Sequence, residues 1–177
     1  MVCSQDRLES LDGIALVLDS RLTVVAGGWG NWARFWHDNG GAAPAPAVLG
    51  RDLTAAFSCG ALRSGFRAAL MAVALGERPA LRMGFRCDGP GVRRDMRLTV
   101  ARCGAGRLLY HSVTLAETAL PRALDVAPVS CCAVCGALDP ADPGALDWVE
   151  GPSGRPPLPA SDTLCPRCAL GLAAHAA

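Results

Sequence analysis

The chain has 177 residues and a formal net charge of +1, from seventeen basic residues, all arginine, against sixteen aspartates and glutamates. Hydrophobic residues make up 51% and charged residues 19%, a core-forming balance that excludes a disordered chain. The near-neutral charge argues against a dedicated nucleic-acid binder, which carries a clear basic excess.

Residues 1–20 contain Asp6, Arg7, Glu9, Asp12 and Asp19, and their only apolar run, 14–18, is five residues long. A signal peptide needs a basic start and about 7–15 apolar residues, so export is not expected. The run 68–75, between Arg67 and Glu77, falls far short of the ~20 residues of a membrane helix. The expectation is a cytoplasmic protein without a membrane span. Thiols in that compartment stay reduced, so the nine cysteines point to metal binding before a disulfide framework.

In chain order, 13–18 (GIALVL) and 22–25 (LTVV) are β-rich runs broken at Asp19-Ser20-Arg21, which predicts a hairpin. Residues 29–39 carry Trp32, Phe35, Trp36 and Asn39 at helical spacing, with Gly40-Gly41 as a stop. The segment 40–47 (GGAAPAPA) reads as a loop. The strongest helix signal is 61–75, where Leu62, Phe66, Leu70 and Val73 form one stripe ending at Gly76. Three β runs follow, 80–87, 95–103 and 107–115, separated by turns at 88–91 and 104–106, as in an antiparallel meander. This order predicts an α+β domain, a five-stranded antiparallel sheet with short helices on one face.

The same stretches resemble a bacterial PAS subgroup found in sensor proteins. The similarity covers residues 8–117. It rests on the helix from Gly30 through Trp32, Phe35 and Asn39 to Gly40, and on the turn from Gly50 to Leu53. The corner Cys87-Asp88-Gly89-Pro90 with Arg93 and Arg94, and the closing His111-Ser112-Val113-Thr114, complete it. The chain departs from the pattern in lacking Asp-Ile before Thr114 and in carrying Asp95 and Met96 where an aromatic is commoner. The resemblance implies a sensor or interaction domain binding a small ligand or a signalling partner, and a homodimer. The last three strands would then offer Leu98, Val100, Leu108 and Tyr110 for self-association. Trp32, Phe35, Trp36, Phe66 and Leu70 are the candidates to wall a pocket, although an aromatic stripe at helical spacing is more often core. Haem is disfavoured because 61–76 contains no histidine. Flavin photochemistry is disfavoured because Cys59 lies in Phe57-Ser58-Cys59-Gly60, not in an Asn-Cys-Arg-Phe-Leu motif.

Beyond residue 117, a linker (118–128) leads to a cysteine module (129–172). Cys132-Ala-Val-Cys135 and Cys165-Pro-Arg-Cys168 are two C-x-x-C knuckles separated by 29 residues. Two knuckles supply four thiolates, a closed tetrahedral set suited to structural Zn²⁺ at about 2.3 Å per bond. The module resembles a zinc-ribbon-like element appended to signalling proteins, through Trp148 and the Cys165-Pro166-Arg167-Cys168 knuckle. Cys131 is an alternative to Cys132 as ligand. A reversible dithiol switch that releases zinc is the second reading of the same four residues. Cys3, Cys59, Cys87 and Cys103 have no partner spacing and read as ordinary thiols. No phosphate loop, Ser-His-Asp set or paired carboxylates stand out, so no catalytic residue and no enzymatic activity are expected. No kinase, cyclase or helix-turn-helix output is visible, which leaves the output to another protein or to dimer contacts.

Overall fold

The computed structural model describes residues 3–38, 48–56, 60–87 and 92–119. The linker, the cysteine module, Asn39, Cys59, the loop 40–47 and the turn 88–91 lie outside the described residues. Helix α1 (Gln5–Glu9) leads into strands β1 (Ile14–Leu18) and β2 (Val24–Gly27), then helix α2 (Trp29–Asp38). A 3-10 turn (Leu53–Ala56), helix α3 (Gly60–Leu75) and strands β3 (Ala80–Arg86), β4 (Val92–Arg102) and β5 (Leu108–Ala119) follow. The five strands form one antiparallel sheet in the order β2-β1-β5-β4-β3.

The hairpin forms where Asp19 interrupts the apolar runs. Its carboxylate accepts from the amides of Arg21 and Thr23, both at 2.9 Å, an Asx-type turn that competes with strand continuation. Leu22 holds a φ of 68° there, a left-handed conformation costing about 1–2 kcal/mol for a non-glycine residue. Its side chain is fully buried, and full burial of a leucine contributes about 1.5–3 kcal/mol, enough to hold that backbone.

Strand β1 alternates as expected of a strand, yet all five of its residues are buried. Ile14, Leu16 and Leu18 join the main core with Leu22, Val24, Phe66, Leu70, Val73, Leu98, Val100 and Leu108. Ala15 and Val17 point to the other face and pack with Leu8 and Cys103. The expectation of helices on one face therefore holds for α2, the 3-10 turn and α3, and fails for α1. The five residues of α1 are too few to show an apolar period, so nothing in the sequence announces that Leu8 covers the reverse face of the hairpin. Leu98, Val100 and Leu108 also differ from the expected self-association surface, since they point into the main core, with Tyr110 packed against it.

Helix α1 also fixes the start of α2. The Glu9 carboxylate accepts from the amides of Trp29 (2.9 Å) and Gly30 (3.1 Å), satisfying two helix-end donors from a distant point in the chain. Gly28 permits this approach, because a Cβ there would meet the Leu8 carbonyl oxygen at 2.5 Å.

In α3, Phe66, Ala69, Leu70 and Val73 are buried, and Gly76 ends the helix at φ 83°; the side chain of Leu62 lies outside the described residues. Segment 50–54 covers the free edge of β2, with Val24 donating to the Arg51 carbonyl and Leu53 to that of Leu22. Asp52 ties this segment to α3 through Arg67 at 2.7 Å and accepts from the amide and hydroxyl of Thr54. Desolvation would raise the Asp52 carboxyl, but the Thr54 and Arg67 contacts outweigh it and hold it below its ordinary value.

Replacing Leu8 by Ala removes the largest fully buried side chain of the reverse-face cluster and is expected to cost about 2–3 kcal/mol, the lower part of the range for core truncations, because a short helix can settle. Urea denaturation followed by tryptophan fluorescence measures this; a loss below about 0.5 kcal/mol, the level of surface substitutions, would show that α1 is not part of the folded unit.

Candidate functional site

Five residues were expected to wall a pocket, and the structure separates them. Phe66 and Leu70 are 3% and 0% exposed and sit within the main core. Trp32 and Phe35 are partly buried against that core. Trp36 is 37% exposed and stacks on Trp32, with ring centroids 6.1 Å apart and planes 7° from parallel. No residue of α2 is fully buried, and a gap remains between the helix and the sheet.

That gap is a half-open cleft of about 160 Å³. Helix α2 supplies Asn31, Arg34, Phe35 and Asp38, the sheet supplies Arg94, Thr114 and Glu117, and Gly13 borders it. The Asn31 amide donates to the Leu11 carbonyl, which anchors the helix side of the cleft to the chain entering β1. Gly13 adopts φ 74° beside the Ser112 backbone, where any side chain would collide with the Ser112 carbonyl oxygen.

The charged floor depends on a register shift. Met96 pairs with Thr114 but Asp95 pairs with Ala116, leaving Leu115 as an extra residue on β5. In an unbroken strand Glu117 would face away from α2, three residues out of phase with Thr114. The bulge turns it back to the helix face, where Arg94 Nε donates to Glu117 Oε1 at 2.8 Å. The Arg94 side chain is 6% exposed and Glu117 54% exposed, so a buried cation is matched to a largely hydrated carboxylate. The Arg94 guanidinium also lies 5.5 Å from the centre of the Phe35 ring, a cation–π contact in a sheltered place.

The sequence matched Arg94 to a family corner but gave no sign of its burial or of its partner. Twenty-three residues and an unpredictable bulge separate it from Glu117. Cys3 and Cys103 are a second case. They read as unrelated thiols, yet they pack in the same reverse-face cluster. Burial, together with the Cys3 hydrogen bond, pushes the Cys103 thiol up to about 12, which keeps it protonated and poorly nucleophilic at neutral pH. Cys87 is partly buried. Of the two histidines in the described sheet and helices, His111 Nε2 donates to the Asp12 carbonyl at 2.7 Å, and His37 is exposed beside Asp38. Among the described residues no three His, Cys, Asp or Glu side chains converge as a metal site, and the knuckle residues Cys132, Cys135, Cys165 and Cys168 lie outside them. Among the same residues no helix is long and apolar enough to cross a membrane.

Tyr110 packs on the core side of β5, and desolvation pushes its phenol up to about 12, against a partial offset from the Ser112 hydroxyl. It is the single tyrosine of the chain, so phenolate absorbance reports it alone. A raised folded-state value means that its contribution to stability is complete below pH 10, the ordinary phenol value, and is lost as pH rises through about 12. Phenolate absorbance is expected near pH 10 in denaturant and only near 12 in the native protein; native ionisation near 10 would place the ring in water instead.

Comparison of the chain with protein-family models, with curated proteins and with solved structures finds no match.

Proposed function

We propose that the chain is a cytoplasmic signal-transduction sensor: a PAS-like domain over residues 8–117 that binds a small ligand or a protein partner, a linker over 118–128, and a zinc-stabilised cysteine module over 129–172. The observation that carries this reading is the architecture. Two strands, a helical middle and three strands fold into one antiparallel sheet of order β2-β1-β5-β4-β3, with the helical middle laid on one face beside an open, charged cleft. That plan supports the family resemblance of the sequence motifs, and a cleft at the margin of a filled core suits ligand capture without catalysis. Signalling then follows if ligand or partner binds two conformations with different affinity. Neither haem nor flavin is part of the proposal.

The zinc part rests on the chemistry of the donor set. Four thiolates in two C-x-x-C knuckles match the coordination number and softness of Zn²⁺. Residues 121–177 hold Trp148 as their only aromatic and are rich in Ala, Gly and Pro, a poor basis for an apolar core. Ordering costs about 1–2 kcal/mol per residue, and structural zinc contributes an apparent ~10–16 kcal/mol in small modules. Arg167, inside the second knuckle, carries charge opposite to that of the thiolate set.

Metal analysis and an absorption spectrum of the purified full chain test the reading. One zinc per chain and no visible chromophore are expected. Cys135→Ser or Cys168→Ser should release the metal and open the tail to protease while residues 8–117 stay resistant. Zinc-free protein with a resistant tail under reducing conditions would overturn the zinc module. Disulfides between the knuckles that form on peroxide treatment, with chelator inert, would replace it by the thiol-switch reading.

A further inference from the structure

We propose that the cleft between α2 and the β4–β5 end of the sheet is a binding site for a short-chain aliphatic carboxylate, which takes the place of Glu117 on Arg94. The proposal deepens the sensor reading and rests on it for any signalling consequence; binding itself stands on the cleft alone.

Three observations lead to it. The Arg94 side chain is more than nine-tenths buried and forms part of the cleft wall, while its carboxylate partner is more than half exposed. A guanidinium favours a planar two-oxygen acid over a point anion, and Glu117 already occupies one donor at 2.8 Å in the manner a carboxylate ligand would. A hydrated glutamate at the end of a strand is a counter-ion that can be released to water at small cost, whereas Arg94 in its sheltered place needs an anion beside it.

The second observation is Arg34. It lines the same cleft, is exposed, and makes no ion pair or hydrogen bond among the described residues. Arg34 and Arg94 therefore face one small space, which the carboxylates of Asp38 and Glu117 also line. An incoming monoanion would meet both.

The third observation is size and surface. A space of about 160 Å³, open to solvent on one side, has room for a carboxylate with a short alkyl chain. Phe35 offers the apolar contact for that chain, and Thr114 a hydroxyl at the rim. Asp38 and Glu117 in the same lining repel any anion, and a dianion such as phosphate more than a monoanion.

The test is a titration of isotope-labelled full-length protein with propionate, followed by amide NMR shifts at constant ionic strength, beside parallel titrations with chloride and with propionamide. Saturable shifts at Asn31, Arg34, Thr114 and Glu117 with propionate alone are the expected result. Arg34→Gln should weaken binding roughly tenfold, the usual loss for one charge-assisted hydrogen bond. Glu117→Gln should bind propionate more tightly than the natural chain, and its lowered melting temperature should recover with propionate and not with propionamide. Shifts that do not saturate, that chloride or propionamide reproduces, or that Glu117→Gln leaves unstrengthened would overturn the proposal. Saturable binding that leaves protease sensitivity of the cysteine tail unchanged would uphold the site and count against the sensor reading, so the two fail separately.

Discussion

The structure depends on β1 being apolar on both faces. A five-residue strand between β2 and β5, with every residue buried, supplies fully buried side chains to both cores. Ile14, Leu16 and Leu18 carry the helix face; Ala15 and Val17 carry the face beneath α1. Burying all of these side chains supplies several kcal/mol from very few residues, at about 25 cal/mol per Å² of apolar surface. It also fixes register, because a one-residue slip against β5 would exchange the leucines with Ala15 and Val17 and mismatch both cores at once. Small residues face the short helix and large ones face the long helix, and that asymmetry sets which side α3 must occupy.

From that fixed strand the cleft follows as a packing consequence. Helix α2 begins where Glu9 and Gly28 place it, and its Trp29, Trp32 and Phe35 pack against the main core. Its start is held by α1 and its aromatic side by the main core, and the cleft lies between it and the β4–β5 end of the sheet. Phe35 bridges part of the gap and shelters Arg94. A buried guanidinium there would be costly without compensation, and a carboxylate brought round by a bulge and an aromatic face contribute to it.

The legible parts of the fold are those whose signal is local. The hairpin was readable from Asp19 between two β runs, α3 from the spacing of Phe66, Leu70 and Val73, and the meander from glycine turns such as 104–106. Strand ends were less legible: β4 begins at Val92 and β5 runs to Ala119, beyond the apolar alternation, because Arg93 and Arg94 pair with Thr118 and Glu117 through backbone hydrogen bonds that side-chain patterning does not encode. The bulge at Leu115 leaves no local mark either. For that reason the residues proposed as pocket walls were the apolar stripe, most of which packs into or against the core, while of the charged residues that line the cleft Arg34 and Glu117 belong to no recognised motif and Arg94 stands out only in a family corner.

Along β5 burial declines steadily. Leu108 and Ser112 are buried, whereas residues 114–119 are all exposed, although the ladder with β4 continues through Ala119. Local opening free energy follows such gradients, because an exposed two-stranded ladder has little apolar packing to lose. The first half of β5 is locked between β1 and β4, and its last turn of sequence is held by one neighbour strand and by the Arg94–Glu117 contact. Glu117 is thus placed where the strand changes from rigid to yielding, two residues before Ala119 and upstream of the cysteine knuckles in sequence. In the proposed sensor this is the natural point of coupling. Exchange of the Arg94 partner acts on a stretch of sheet with little apolar packing to lose.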